Sequence, residues 1–185
     1  MGRGVGAGIV QNKELYHGDG FGAGEIGHVR IVENGELCSC GNTGCLETKI
    51  SSRAILKRVV ETAHIQRDGH LFEMIQKNGS LNYEDILKAY LQGNDLVTRI
   101  LQDVGTDLAQ ALSFLVGILN IQCIVIAGSV SEFGQVLVRS VEEHLSSRVL
   151  SSLAQETEVV ISSLGEDIVM LGAAALILQN QLGIK

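Results

Sequence analysis

Three of the chain's four cysteines, Cys38, Cys40 and Cys45, crowd into eight residues, and His28 precedes them by ten positions. Nothing else in the sequence restricts the fold as strongly. Zinc takes four tetrahedral nitrogen or sulfur ligands, and a site filled by protein ligands alone is structural, not catalytic. Gly41 and Gly44 allow the backbone to wrap tightly between Cys40 and Cys45. Asn34-Gly35 is a tight-turn signal that brings the chain back towards His28. The competing readings are a buried thiol cluster and a disulfide. Reduced, unliganded thiols among glycines have little apolar cover, and a reducing compartment favours metal over disulfide for such a cluster. A structural zinc ion on His28, Cys38, Cys40 and Cys45 is the expectation. Cys123 lies in an apolar strand and reads as a core residue.

A chain of 185 residues fits one domain and can bury a real core. Hydrophobic residues at 45% and charged residues at 19% describe a globular chain, not a disordered one. The net charge of −7 has no basic cluster to offset it, so a grip on a phosphate backbone is not expected from these residues. The start is glycine-rich and does not resemble a secretory leader. The longest apolar runs, 124–127 and 173–178, are far short of a membrane span. A soluble, cytoplasmic protein with no membrane partner is expected.

Residues 1–32 alternate glycine with apolar or polar residues and predict a β-hairpin with its turn near Asn12 and Lys13 and residues 14–17 returning. A glycine-rich loop follows over 18–27, then a short strand over 28–32. Helical periodicity begins near Glu47, with Ile50, Ala54, Leu56, Val59, Val60 and Ala63 at helical spacing. Asn82 suits the cap of a second helix whose apolar face carries Ile86, Leu87 and Tyr90. A long, mostly buried helix is predicted over 95–120, a strand over 122–127 ending at Gly128, and a helix over 132–149. A strand over 158–162 and a helix over 167–182 complete the order, which argues a mixed α/β domain. The chain divides into a zinc loop (28–47), a helical segment (47–120) and an α/β portion (121–185), without internal repeat or linker.

Gly24-Glu25-Ile26-Gly27-His28 followed by Cys38-Ser39-Cys40-Gly41-Asn42-Thr43-Gly44-Cys45-Leu46-Glu47 resembles the signature of the ROK family (repressor, open reading frame, kinase). Weaker similarity extends to Gly4-Val5-Gly6-Ala7-Gly8, Ile126-Ala127-Gly128 and Gly172-Ala173-Ala174. The resemblance implies that residues 1–185 are the C-terminal lobe of a two-lobed actin-like ATPase (ribonuclease H-like) α/β fold, with ligand between the lobes.

It also implies that Glu25, His28 and Glu47 contact a sugar. The chemistry suits them. Carboxylates accept charge-assisted hydrogen bonds from neighbouring hydroxyls. A metal on one ring nitrogen of His28 leaves the other N–H free for a hydroxyl. Without the resemblance, Glu25 and Glu47 read as solvated charge, and Glu47 also as a residue favoured by a helix dipole. In the kinases of the family the hairpin lies near the nucleotide phosphates, which implies Gly4, Gly6 and Gly128 as a nucleotide side. The glycine run is not a dinucleotide fingerprint, because no helix follows it. Arg3 stands where kinases commonly carry a small residue or threonine, and Ser129 replaces a usual glycine. Both weigh against nucleotide binding, although an arginine also pairs with phosphate.

The family's aspartate-glycine phosphate loop, catalytic aspartate and any helix-turn-helix belong upstream, so this chain alone is not expected to transfer phosphate. The leading expectation is the sugar-binding (effector) and dimerisation portion of a ROK repressor of carbohydrate metabolism. Leu46-Glu47-Thr48 is similar to the repressors' wording at this point. Its partners would be a small sugar and a second copy, as a homodimer or higher homo-oligomer, with DNA reached only through an upstream domain. The alternative is the C-terminal half of a ROK sugar kinase, glucokinase-like or N-acetylmannosamine kinase-like, using ATP and Mg2+ on a hexose. A third reading is a zinc-stabilised scaffold without ligand.

Overall fold

The computed structural model describes residues 1–67 and 69–183. It opens with an antiparallel hairpin, β1 (Ile9–Gln11) and β2 (Glu14–Tyr16), in the register Ile9↔Tyr16. Asn12 and Lys13 both take positive φ, 53° and 65°, at the expected turn. Two consecutive left-handed residues match the twist of the flanking strands, which is why two-residue hairpins use them.

The strand expected over 28–32 does not form. The chain makes a 3-10 turn at Ile26–His28 and a single antiparallel bridge, Arg30↔Cys45. The loop's hydrogen bonds are spent on wrapping the cysteines, which leaves no ladder to extend.

The helical segment begins at Glu47 as expected, but it is divided. α1 (Glu47–Ile50) stops at Ser51, which takes extended backbone and caps α2 (Ser52–Gln66) by accepting the Ala54 N–H at 3.3 Å. A serine at such a break satisfies a donor that a continuous helix would not expose. α3 (Gly69–Asn78) was not foreseen and buries Leu71 and Ile75. α4 (Tyr83–Leu91) carries the anticipated Asn82 cap as a full capping box with Asp85.

α5 (Asp95–Leu119) is the spine of the molecule. Leu96, Val97, Ile100, Leu101, Val104, Leu108, Ala111 and Leu112 are all buried, at the three- and four-residue spacing of one helix face. Leu46, Ile50 and Ile55 are fully buried in the same core. Each contributes about 1.5–3 kcal/mol by leaving water. α5 meets α6 (Gln135–Ser146) where Gly105 faces Ser140; a Cβ on residue 105 would lie 2.5 Å from the Ser140 Cβ. Glycine lets the two helices close to that distance.

β3 (Cys123–Ile126) and β4 (Glu158–Ile161) pair in parallel, from Cys123↔Glu158 to Ile126↔Ile161. α7 (Ser151–Glu156), which was not foreseen, buries no residue, and α8 (Ile168–Leu182) ends the described chain. The helix expected from 132 starts later. Residues Ser129–Phe133 form a 3-10 turn, and Gly134 at φ 65° separates it from α6.

Cys123 is a correction: it is exposed, not in the core. Side chains alternate along a strand. Ile126 turns into the core, whereas Cys123 shares the outer face of the sheet with Val125, which is 56% exposed. Among the described residues, no helix is long and apolar enough to cross a membrane.

Candidate metal centre

The loop 29–46 folds on itself before it meets the helices. Ile31 and Val32 N–H donate to the Gly44 carbonyl at 2.9 and 3.2 Å, and Gly44 N–H donates to Glu36 O at 2.8 Å. Cys38 N–H donates to Asn42 O at 2.7 Å, and Gly41 N–H returns to Cys38 O at 3.0 Å. Gly44, at φ 73°, has the Val32 carbonyl where a Cβ would stand, so no other residue fits there. Beyond Cys45, Leu46 plunges into the core and anchors the end of the loop.

This folding brings one ligand atom from each of His28, Cys38, Cys40 and Cys45 within 4.8 Å of the others. Cys38 Sγ lies 3.5 Å from His28 Nδ1, and Cys40 Sγ lies 3.7 Å from Cys45 Sγ. Tetrahedral zinc with its usual bond lengths separates two sulfurs by about 3.8 Å, and a sulfur from a nitrogen by about 3.6 Å. The four residues therefore fit a metal ion, and all three thiols are free of disulfides. Cys38 and Cys45 are buried, while Cys40 is exposed. Burial pushes the Cys45 thiol up to about 12, with its neighbouring thiols adding to the shift. The Asn42 backbone N–H holds the Cys40 thiol below its usual value. The Cys38 thiol beside His28 raises the imidazole, and Glu47 and Glu25 raise it further.

The second ring nitrogen of His28 faces away from the thiols. Nε2 lies 3.9 Å from Glu25 Oε2, and the Glu25 side chain is 70% exposed. Glu47 opens α1 beside the loop. Its Oε2 accepts the Val5 N–H at 2.9 Å, and its Oε1 accepts the Ser39 hydroxyl at 3.4 Å. Glu25 thus lies beside His28, and Glu47 reaches the same loop through Ser39.

The three glycines anticipated on a nucleotide side all have partners within the chain. Gly4 lies against Glu47, Gly6 against the Gly24 carbonyl, and Gly128 against the backbone of Met1. The Met1 amine donates to Ala127 O, and Val130 N–H donates to Met1 O at 3.2 Å. Two ties that sequence reasoning missed hold the metal loop to the helices. Lys57 Nζ sits 2.7 Å from Glu36 Oε2, and Gln110 Nε2 donates to the Ile31 carbonyl at 3.3 Å. Neither pair carries a sequence signal, because the partners lie on separate elements.

The ROK family model matches residues 1–180. The chain is 33% identical over 182 residues to a glucokinase of Halalkalibacterium halodurans, covering 98% of this chain and 55% of that one. It is 33% identical over 179 residues to the xylose repressor of Bacillus subtilis, covering 96% of this chain and 42% of that one. The chain therefore spans about half the length of the curated relatives it matches. In structure it is similar to a ROK family glucokinase from Streptomyces griseus in complex with glucose and AMPPNP, with a TM-score of 0.83 at 23% identity over 95% of this chain and 58% of that one.

Proposed function

The chain belongs to the ROK family, with the family's actin-like α/β fold, and from that premise we propose that it is a sugar-recognising C-terminal lobe organised around a structural zinc ion. The observation that carries this reading is the placement of His28: Nδ1 joins the thiol cluster at 3.5 Å from Cys38, while Nε2 turns towards Glu25. Three thiols and an imidazole are a donor set that suits zinc. Bound to His28 Nδ1, Cys38, Cys40 and Cys45, zinc would supply structural cohesion and fix the imidazole ring. Nε2–H is then free to donate to a sugar hydroxyl. Glu25 and Glu47 flank it as acceptors, and a charged acceptor makes the stronger hydrogen bond.

Within the family, we read the chain as the effector-binding and dimerisation part of a repressor of carbohydrate metabolism. Arg3 and Ser129, and the use of Gly128 by the chain's own backbone, support that reading over a nucleotide site. The second reading is half of a sugar kinase that uses ATP and Mg2+; the 33% identity to a glucokinase supports it as much as the 33% identity to a xylose repressor supports the first.

The test is calorimetry of the zinc-loaded chain with D-glucose and D-xylose, repeated on Glu47→Ala. Binding that Glu47→Ala abolishes is expected; binding indifferent to Glu47 sinks the assignment of that carboxylate. In the whole protein, DNA release on sugar addition supports the repressor, and ATP-dependent sugar phosphorylation supports the kinase.

A further inference from the structure

Glu47 is the first residue of α1, and the N-cap residue Leu46 offers that helix no side-chain cap. A carboxylate there has its own helix terminus to fall back on. It is instead held from two other elements. The Val5 N–H meets Oε2 at 2.9 Å from the segment before the hairpin, and the Ser39 hydroxyl meets Oε1 at 3.4 Å from the metal loop. Val5 is itself core, only 6% exposed, so its amide is not free to drift. Ser39 lies between Cys38 and Cys40, with its Oγ 3.9 Å from Cys38 Sγ, so the loop that wraps the metal cluster also sets this hydroxyl. Gly4 completes the cradle. A Cβ there would stand 3.0 Å from Glu47 Oε2 and 4.0 Å from its Cδ, and would meet nothing else within 4 Å.

We propose that Gly4, the Val5 amide and Ser39 are the positioning groups of the Glu47 carboxylate, so that the metal loop and the segment before the hairpin together aim it at a ligand hydroxyl. The proposal rests on the sugar reading above and moves Gly4 from the nucleotide side to the sugar side. Two hydrogen-bonded oxygens on a carboxylate still leave lone pairs for a ligand, in an orientation chosen before the ligand arrives. Preorganisation of that kind raises affinity by lowering the cost of ordering.

The test uses the zinc-loaded chain and the variants Gly4→Ala, Ser39→Ala, Ser39→Thr and Glu47→Ala, each checked for unchanged metal content. Melting of Gly4→Ala alone, and again in the Glu47→Ala background, forms a double-mutant cycle that needs no sugar. Gly4→Ala is expected to be less favourable by about 2 °C or more in Tm when Glu47 is present than when it is absent. For D-glucose or D-xylose, whichever binds, Ser39→Ala is expected to weaken affinity roughly threefold to tenfold, the scale of one ordinary hydrogen bond. Ser39→Thr, which keeps the hydroxyl, should restore wild-type affinity. An equal cost of Gly4→Ala with and without Glu47 overturns the positioning, as does wild-type affinity in Ser39→Ala. If the wild type binds neither sugar, the sugar reading falls, and the melting cycle alone then decides whether the cradle positions Glu47.

Discussion

Gln110, on the central helix α5, donates its side-chain amide to the carbonyl of Ile31 at 3.3 Å, across 79 positions of sequence. Ile31 belongs to the loop that gathers the thiols, and its N–H is already paired with Gly44. The loop is therefore docked on the core as well as folded on itself. Lys57 repeats the arrangement from α2 through Glu36. A disturbance of the metal cluster should be felt in the melting of the whole lobe, and a disturbance of α5 in the grip on the metal.

Gln110→Ala removes the donor and leaves the Ile31 carbonyl to find water. A neutral hydrogen bond of this kind contributes about 1 kcal/mol, or about 2–4 °C in Tm for a domain of this size. Metal should also leave faster, because the loop loses an anchor. Transfer of zinc to a chromophoric chelator, timed for wild type and variant, measures this. Equal transfer rates would show that the tie is structurally idle.

Metal removal is expected to cost much more. Structural zinc bound by a loop contributes its binding energy to folding. Elemental analysis should find one zinc per chain, and chelation or Cys40→Ser should lower Tm by roughly 10 °C or more. A folded, reduced chain without metal, melting where the loaded one melts, would remove the ion from the account of His28.

Gly105→Ala tests the closest helix contact. Alanine gains about 1 kcal/mol of helix propensity over glycine. Here the new methyl would stand 2.5 Å from the Ser140 Cβ and 2.6 Å from its Oγ, and that hydroxyl already donates to Gln102 O at 2.6 Å. Overpacking of this kind costs about 1–3 kcal/mol, so the net effect should be destabilising. Chemical denaturation reads the sign directly, and a stabilised variant would refute the contact.

Asp107 gives a pH dependence. Burial raises its carboxyl above its ordinary value of 3.8, and the nearby Lys49 and Arg58 offset that only in part. A carboxyl with a raised folded pKa is penalised in its charged form. The penalty is absent below the unfolded pKa, grows as pH rises through the window between 3.8 and the raised value, and is full above it. Asp107→Asn should therefore be more stable than wild type at neutral pH, with the gap closing as pH falls towards 4. Denaturant melts of both proteins across that range measure the difference, in which other titrating groups cancel. A gap independent of pH would contradict the burial of this group.

Much of this was legible in local patterns. The thiol and imidazole spacing announced a four-ligand cluster, Asn12 and Lys13 marked the hairpin turn, and Asn82 marked a helix start. Each is a short-range matter: a capping side chain reaches three residues, and a two-residue turn needs only its own φ values. The long apolar stripe of α5 was readable for the same reason, because one helix face repeats every three or four residues.

The tertiary structure decided the rest. Cys123 and Ile126 sit in the same apolar run, yet one is exposed and the other buried, because only one face of the β3–β4 pair is packed against helices. The glycine at 128 serves the backbone of Met1 and the glycine at 4 serves Glu47, pairings that no spacing rule contains. The cluster of His28, Cys38, Cys40 and Cys45 could be read from sequence because its chemistry is carried by residue type within one short loop. What orients Glu47 could not, because the Val5 amide is a backbone group common to every residue, and only the folded chain brings it across 42 positions to a particular carboxylate.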